Sequence, residues 1–127
     1  MKFEFSAGGI VYKKDEGGLK ILLAKHSYHK GWVFPKGLID RDKKADGKIE
    51  FGLDPITFWY KFQEEKRKKT VYYFIMRYMG GDIADHDFEM EDVAWFDPEK
   101  VLATLTHKGE KEVFQKALPE IKKLSNS

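Results

Sequence analysis

The stretch "GWVFPKGLID", residues 31 to 40, decides the fold of this chain. Trp32 to Phe34 is predicted to form a short strand, and the Pro-Lys-Gly that follows it is typical of a tight loop. Upstream lies "SAGGIVYKK", residues 6 to 14, and downstream lies "VAWF", residues 93 to 96.

Length and composition limit what the chain can be. Its 127 residues suit one domain, residues 1–127, that is large enough to bury a core. Lys and Arg number 23 against 21 Asp and Glu, a net charge of +2 that is too balanced to predict nucleic-acid binding. Without cysteine, a signal-like start or a long apolar run, we expect no disulfides and no membrane contact. A cytoplasmic location is therefore predicted, with any anion site confined to one place.

Short β-branched and aromatic runs between Gly, Asp and Asn predict a sheet. The stretches "DEGG" at 15–18 and "QEEKRKK" at 63–69 are predicted to be hairpin turns. The predicted strands are 3–5, 9–13, 19–25, 32–34, 56–62, 70–78 and 93–96.

Two helices are predicted near the end of the chain. Asp97 is a suitable N-cap with Pro98 at the first helical position, and the first helix extends to Leu105. In the second, over residues 108–124, apolar residues recur at helical spacing from Val113 onward. One stripe of this helix should pack on the sheet while its lysines face water.

The stretches quoted above, together with "KKTVYYFIMRYMGGD" at 68–82 and "FEMEDVAWFDPEKV" at 88–101, closely resemble the Nudix hydrolase superfamily. Within it, they are most similar to the dinucleoside tetraphosphate hydrolases. The resemblance implies an α+β fold, an α/β/α sandwich with a mixed sheet. It also implies hydrolysis of nucleoside diphosphate-linked substrates such as diadenosine tetraphosphate, with Mg²⁺ or Mn²⁺ as cofactor.

The chain departs from this family at the helix that carries the metal ligands. The family box has a Gly, five residues, a Glu, seven residues, Arg-Glu, two residues, Glu-Glu, one residue and a Gly, so that its carboxylates share one helix face. Counted from Gly37, the first Glu position holds Lys43, and the two later pairs fall on residues 51–52 and 55–56, which are not acidic. If a gap is allowed, residues 35–44 match the entry loop of the family and residues 45–60 match the strand region after its helix, so the helix itself has no counterpart in this chain. Either the protein has lost this helix, or a segment is missing from this sequence.

The resemblance implies roles for several residues around the loop. Lys36 and Lys69 would contact phosphates. The alternative for Lys36 is a solvated loop lysine, and the alternative for Lys69 is a solvated lysine of the basic run 66–69. His26 ends the strand that leads into the loop and is a third candidate for contact with the phosphates. Gly37 would give a backbone carbonyl to the metal, and Glu89 would be a catalytic acid near it, or else one of several surface acids.

Aromatic residues offer platforms for a nucleobase. Tyr60 and Tyr72 are the stacking candidates, although most of the 19 aromatic side chains are expected to pack in the core. Strand alternation predicts that Tyr60 and Trp59 lie on opposite faces.

Three functions remain open: a pyrophosphohydrolase, a catalytically dead nucleotide-binding module, and a protein-interaction module. If the helix is truly absent, we expect little hydrolysis, a polar loop over residues 40–47, and an uncovered apolar sheet face. That face would then form a homodimer interface that includes Leu38 or Ile39. The expected ligand is a nucleotide small molecule.

Overall fold

The structure is a computed structural model that describes residues 2–26, 31–35, 45–81 and 90–126. Its elements in chain order are β1 (Lys2–Asp15), β2 (Gly18–His26), β3 (Trp32–Val33), β4 (Ala45–Gly52), β5 (Ile56–Phe62), β6 (Glu65–Gly81), β7 (Met90–Phe96), α1 (Pro98–Thr104) and α2 (Lys108–Ser125).

The strands of the described residues form one mixed sheet around β1 and β6. These two strands are parallel, with Lys2 opposite Arg67 and Tyr12 opposite Arg77. The other edge of β6 is shared by β5 and β4, which pair antiparallel with its first and second halves. On the far side of β1, β2 runs antiparallel and carries both β3 and β7. The mixed sheet and the α+β class agree with the prediction.

The turn between β5 and β6 is shorter than predicted. Gln63 and Glu64 form it, with positive φ angles of 51° and 66°, and β6 begins at Glu65. The prediction of a turn over residues 63–69 is therefore wrong for 65–69, which are strand. Residues 65–69 pair with β5 on one edge and, from Arg67, with β1 on the other. Pairing with two neighbouring strands therefore outweighs the charge repulsion within this basic run.

Strand β4 is not among the strands predicted from residue type, although the gapped resemblance assigns residues 45–60 to the strand region of the family. The prediction of a polar loop over residues 40–47 is wrong for Ala45 to Gly47, which begin β4, while 40–44 lie outside the described residues. Ala45 pairs with Gly81 and Gly52 with Phe74. The exposed edge of β6 supplies backbone partners that a loop would lack.

Both helices pack on one face of the sheet, called here the helix face. α1 begins at Pro98 as predicted, and α2 buries Val113, Phe114, Ala117 and Ile121. Among the described residues, neither helix has the length and apolar content to cross a membrane. The core of the helix face consists of Ile10, Tyr12, Ile21, Leu23, Phe34, Val71, Tyr73, Ile75, Val101, Leu105, Val113, Phe114, Ala117 and Ile121.

The opposite face, called the second face, has a smaller cluster. Val11, Leu22 and Met76 are buried there, with partly buried aromatic and aliphatic side chains packed against them. Tyr78 and Trp95 meet edge to face at 5.1 Å, and Lys13 Nζ lies 4.4 Å from the centre of the Trp95 ring. Neighbouring side chains cover these positions, whereas Tyr72 and Trp59 on the same face are 40% and 51% exposed.

Candidate functional site

The end of the quoted motif that the structure describes, Phe34 and Pro35, lies beside Gly9. β3 pairs with β2 through Val33 opposite Ala24 and Trp32 opposite Lys25. Two residues further on, the carbonyl of Pro35 accepts a hydrogen bond of 2.9 Å from the Gly9 backbone N–H. The segment that follows Pro35 therefore starts at the middle of β1.

The connection between α1 and α2 holds the other end of β3. The Trp32 backbone N–H donates to Thr106 Oγ1 at 3.0 Å, and the Thr106 N–H donates to the Trp32 carbonyl at 3.1 Å. A Cβ atom at Gly31 would lie 2.5 Å from Thr106 Oγ1, which explains why this position holds glycine. The chain is thus fixed just before the loop.

Glu110 is a buried carboxylate on α2 that contacts the same strand end. It is 1% exposed; its Oε1 accepts from the Phe34 N–H at 3.2 Å, and its Oε2 accepts from the Tyr73 hydroxyl at 2.7 Å. Burial, and then the negative charge of Glu110 and this hydrogen bond, raise the pKa of Tyr73 well above its usual range. Glu110 lies in the first turn of α2, where the helix dipole favours an anion.

Glu110 is not among the predicted site residues, although its position in the sequence carries a signal. It precedes Val113 by three residues and Ala117 by seven, so it lies on the buried stripe of α2. A charged residue on an otherwise apolar stripe indicates a specific partner inside the core.

Of the predicted site residues, Lys69 and Tyr72 are described with their side chains. Lys69 is half-buried at a β6 position of the helix face, and Tyr72, on the second face, is 40% exposed. Tyr60 is opposite Arg67, whose position belongs to the helix face. The register positions of Tyr60 and Tyr72 thus lie on opposite faces of the sheet.

The remaining predicted residues are only partly covered by the structure. His26 ends β2 opposite Met90, after an irregularity in the pairing at Lys25. Lys36, Gly37 and Glu89, with Leu38 and Ile39 of the expected interface, lie outside the described residues. All these assignments stay predictions.

The structure places strands where an ungapped box helix would lie. Residues 51–52 are the end of β4, and residues 55–56 are the last linker residue and the first residue of β5. Residues 45–62 therefore contain no helix.

A divalent metal needs several oxygen ligands that converge on one point. Within the described ranges, no group of three or more His, Asp or Glu side chains is placed to hold a metal ion. This part of the chain does not fit a magnesium site, and we derive no metal-dependent step from it.

Two further features lie away from β3. On the second face, Trp59 is 51% exposed, with Lys66 Nζ 4.8 Å and Lys68 Nζ 5.5 Å from its ring centre. Between α2 and the β4–β5 linker there is a cavity of about 300 Å³, lined by Gly52, Leu53, Asp54, Pro55, Ile56, Glu112, Val113 and Lys116.

Comparison with known sequences finds a relative named as a mutator protein, MutT4, from Mycobacterium tuberculosis (strain CDC 1551 / Oshkosh). The chain is 27% identical to it over 143 residues, an alignment that covers 97% of this chain and 58% of the relative. The chain thus spans 58% of the length of that relative. No protein-family model matches the chain.

Solved structures give a consistent fold. A Caenorhabditis elegans Ap4A hydrolase in a binary complex superimposes with a TM-score of 0.66 at 16% identity, over 94% of this chain and 98% of that one. The Nudix domain of Shewanella oneidensis NrtR, complexed with ADP ribose, superimposes with a TM-score of 0.63 at 16% identity, over 93% of this chain and 88% of that one. The Nudix hydrolase RenU from M. smegmatis superimposes with a TM-score of 0.64 at 14% identity, over 98% of this chain and 88% of that one. The chain therefore has the Nudix fold, and the resemblance to the Nudix hydrolases that its sequence indicates is confirmed.

Proposed function

We propose that this chain is a Nudix-type pyrophosphohydrolase domain for nucleoside diphosphate-linked substrates, with little activity in the 127-residue form because the box helix is absent, and that diadenosine tetraphosphate is the first substrate to test. The observation that carries the proposal is the fixed end of β3, where Pro35 is bonded to Gly9 in a sheet of Nudix topology. Two similar structures support a nucleotide ligand, since one is described as an Ap4A hydrolase and the other is complexed with ADP ribose.

The proposal includes the absence of the box helix from this 127-residue chain. Because 97% of 127 residues is about 123 and the alignment with the mutator protein spans 143, about 20 aligned positions of that relative have no counterpart here. Residues 45–62 contain no helix, and only nine residues separate Pro35 from Ala45. We place the missing positions between these two residues.

This placement has a chemical consequence. Metal-bound carboxylates supply the main charge stabilisation in phosphoryl transfer, on the order of several kcal/mol. The 127-residue chain should therefore bind its nucleotide and hydrolyse it poorly. With the helix restored, Mg²⁺ or Mn²⁺ would be held by the box carboxylates together with Gly37 and Glu89, and Lys36, Lys69 and His26 would contact the phosphates.

The proposal covers four further points. A single domain spans residues 1–127, and its location is cytoplasmic. The nucleobase stacks on Tyr60 or Tyr72.

The chain without the helix forms a homodimer through the second face, including Leu38 or Ile39, and sedimentation at micromolar concentration tests this. A monomer at that concentration contradicts the dimer.

Restoring the helix is the direct test of the hydrolase proposal. The box segment of the mutator protein is inserted between Lys44 and Ala45, and the control carries the same insert with the Glu-Glu pair of the box changed to Gln-Gln. We expect magnesium-dependent cleavage of diadenosine tetraphosphate to rise about a hundredfold or more in the first chain and to remain low in the control. A folded, nucleotide-binding insertion chain without activity would contradict the hydrolase proposal and favour the nucleotide-binding module.

A further inference from the structure

We propose that the connection between α1 and α2 together with the first turn of α2, residues 105–110, is the positioning element of the candidate site, with Thr106 and Glu110 as its positioning residues. This stretch, called the junction segment, fixes the strand end at Phe34 and Pro35. The inference rests on the proposed function, because the position of this strand end matters only if nucleotide binds beside it.

The first argument is that β3 is too short to hold itself in place. It has two register pairs with β2, and strands this short gain little stability from pairing alone. Three hydrogen bonds join it and Phe34 to the junction segment: Trp32 N–H to Thr106 Oγ1, Thr106 N–H to the Trp32 carbonyl, and Phe34 N–H to Glu110 Oε1. Trp32 also forms a parallel bridge with Leu105. The junction segment thus acts as a second strand partner.

The second argument is the chemistry of Glu110. The helix packs on the sheet through apolar side chains, so a carboxylate is not needed to bury α2. Burying a charge is unfavourable unless hydrogen bonds offset it, and apolar replacements of buried charges are often no less stable. Both carboxylate oxygens accept bonds, one from the strand end and one from Tyr73 at the centre of the sheet. Glu110 therefore links the orientation of the strand end to β6.

The third argument is the tight contact at Gly31. Thr106 lies so close that even a methyl group at residue 31 would meet its hydroxyl. On the other side, the Trp32 ring packs edge to face on Phe96 at 5.0 Å. Thr106 is exposed, so removing its hydroxyl perturbs this contact with little effect on the core.

The experiment compares matched variants of the full chain. Glu110→Gln is paired with Glu112→Gln, an exposed glutamate two residues further along the same helix. Thr106→Val is paired with Thr104→Val, because the hydroxyl of Thr104 donates to the Lys100 carbonyl within α1 and not to β3. A further variant, Thr106→Ser, keeps a hydroxyl at residue 106. Amide hydrogen exchange is measured by NMR, and the affinity for diadenosine tetraphosphate is measured under conditions where every variant is folded.

For Glu110→Gln and Thr106→Val we expect the Gly9 and Phe34 amides to exchange about tenfold faster or more, while the amide of Ile75 in the core is unchanged. Nucleotide affinity should weaken by about tenfold in the same two variants. The controls and Thr106→Ser should stay within about twofold of the wild type for both quantities. A structural role alone would not weaken binding at an unchanged folded fraction.

The outcomes separate the two proposals. If the wild type binds no nucleotide but the exchange changes follow the expectation, the proposed function is refuted and the positioning of β3 stands. If Glu110→Gln raises amide exchange throughout the chain, that variant has lost global stability, and Thr106→Val becomes the deciding variant. An unchanged exchange rate of the Gly9 amide in Thr106→Val overturns the inference. Unchanged nucleotide affinity in both variants also overturns it.

Discussion

Replacing Tyr73 with phenylalanine tests the buried link between β6 and α2. The ring is 1% exposed and meets Phe34 edge to face at 6.1 Å, so Tyr73→Phe keeps the packing and removes only the hydroxyl. That hydroxyl donates to Glu110 Oε2 at 2.7 Å. A hydrogen bond to a charged group contributes about 1.5–3 kcal/mol, so the free energy of unfolding should fall by this amount.

The expected change in melting temperature follows from the chain length. At about 2.1 cal/mol/K per residue, unfolding entropy near 60 °C is about 0.27 kcal/mol/K for this chain, which corresponds to a Tm lower by about 6–11 °C. Calorimetry at pH 7 measures it. The control is Tyr72→Phe, because Tyr72 is adjacent in sequence but exposed on the second face; we expect it to change stability by less than about 0.5 kcal/mol.

Alkaline pH gives an independent check on the same side chain. Burial and the charge of Glu110 raise the pKa of Tyr73 in the folded state, whereas tyrosine in the unfolded chain ionises near pH 10. The stabilisation is therefore complete below about pH 10 and is lost as the pH rises further. Tyr73→Phe should remove this part of the alkaline decline. Equal Tm values for the Tyr73 and Tyr72 variants, or an unchanged alkaline profile, would refute the reasoning.

Three further substitutions test local features. Glu64→Gly should raise the free energy of unfolding by about 1 kcal/mol in urea titrations, since Glu64 has a φ of 66° that glycine adopts without strain; an unchanged or lower value would contradict this. Gly31→Ala should lower it by about 1–3 kcal/mol because the new Cβ would lie 2.5 Å from Thr106 Oγ1, and a second change, Thr106→Gly, should restore part of the loss. The hydrogen bond from Lys20 lowers the pKa of Asp97, so this pair stabilises the fold above about pH 4, and the stabilisation is lost as the pH falls through the lowered pKa of Asp97. In a titration of stability with acid, Asp97→Asn should flatten this part of the curve, and a slope identical to that of the wild type would argue against the pair.

The parts of the fold that the sequence predicted are those fixed by local chemistry. The hairpin at residues 15–18 follows from its glycines, with Gly18 at a φ of 100° and the Gly17 N–H bonded to Asp15 Oδ1. The helix stripe from Val113 onward follows from its spacing. In such segments, local preference and tertiary packing agree.

The parts that were missed depend on partners distant in sequence. β4 has few apolar residues and becomes a strand because the far half of β6 offers it a free edge. The basic run 66–69 becomes strand because β5 and β1 flank it. Propensity alone cannot report such partners.

The candidate site was predicted at its strand but not in its support. The quoted motif correctly indicated the short strand at Trp32 and Val33, whereas the residues after Pro35 lie outside the described residues. Thr106 and Glu110 approach that strand from more than 70 residues away, as the bonds to Trp32 and Phe34 show. Their amino-acid types are ordinary for a helix start, so only the assembled fold shows what they contact.

The central proposal is that this chain, which has the Nudix fold, binds nucleotide but lacks the helix needed for hydrolysis. The most direct measurement is magnesium-dependent turnover of diadenosine tetraphosphate by a preparation whose intact mass is confirmed as 14.9 kDa, with binding of the same compound measured in parallel. We predict binding with little or no turnover. Cleavage at ordinary enzyme rates, on the order of 1–10³ per second, by that verified 127-residue chain would contradict the account.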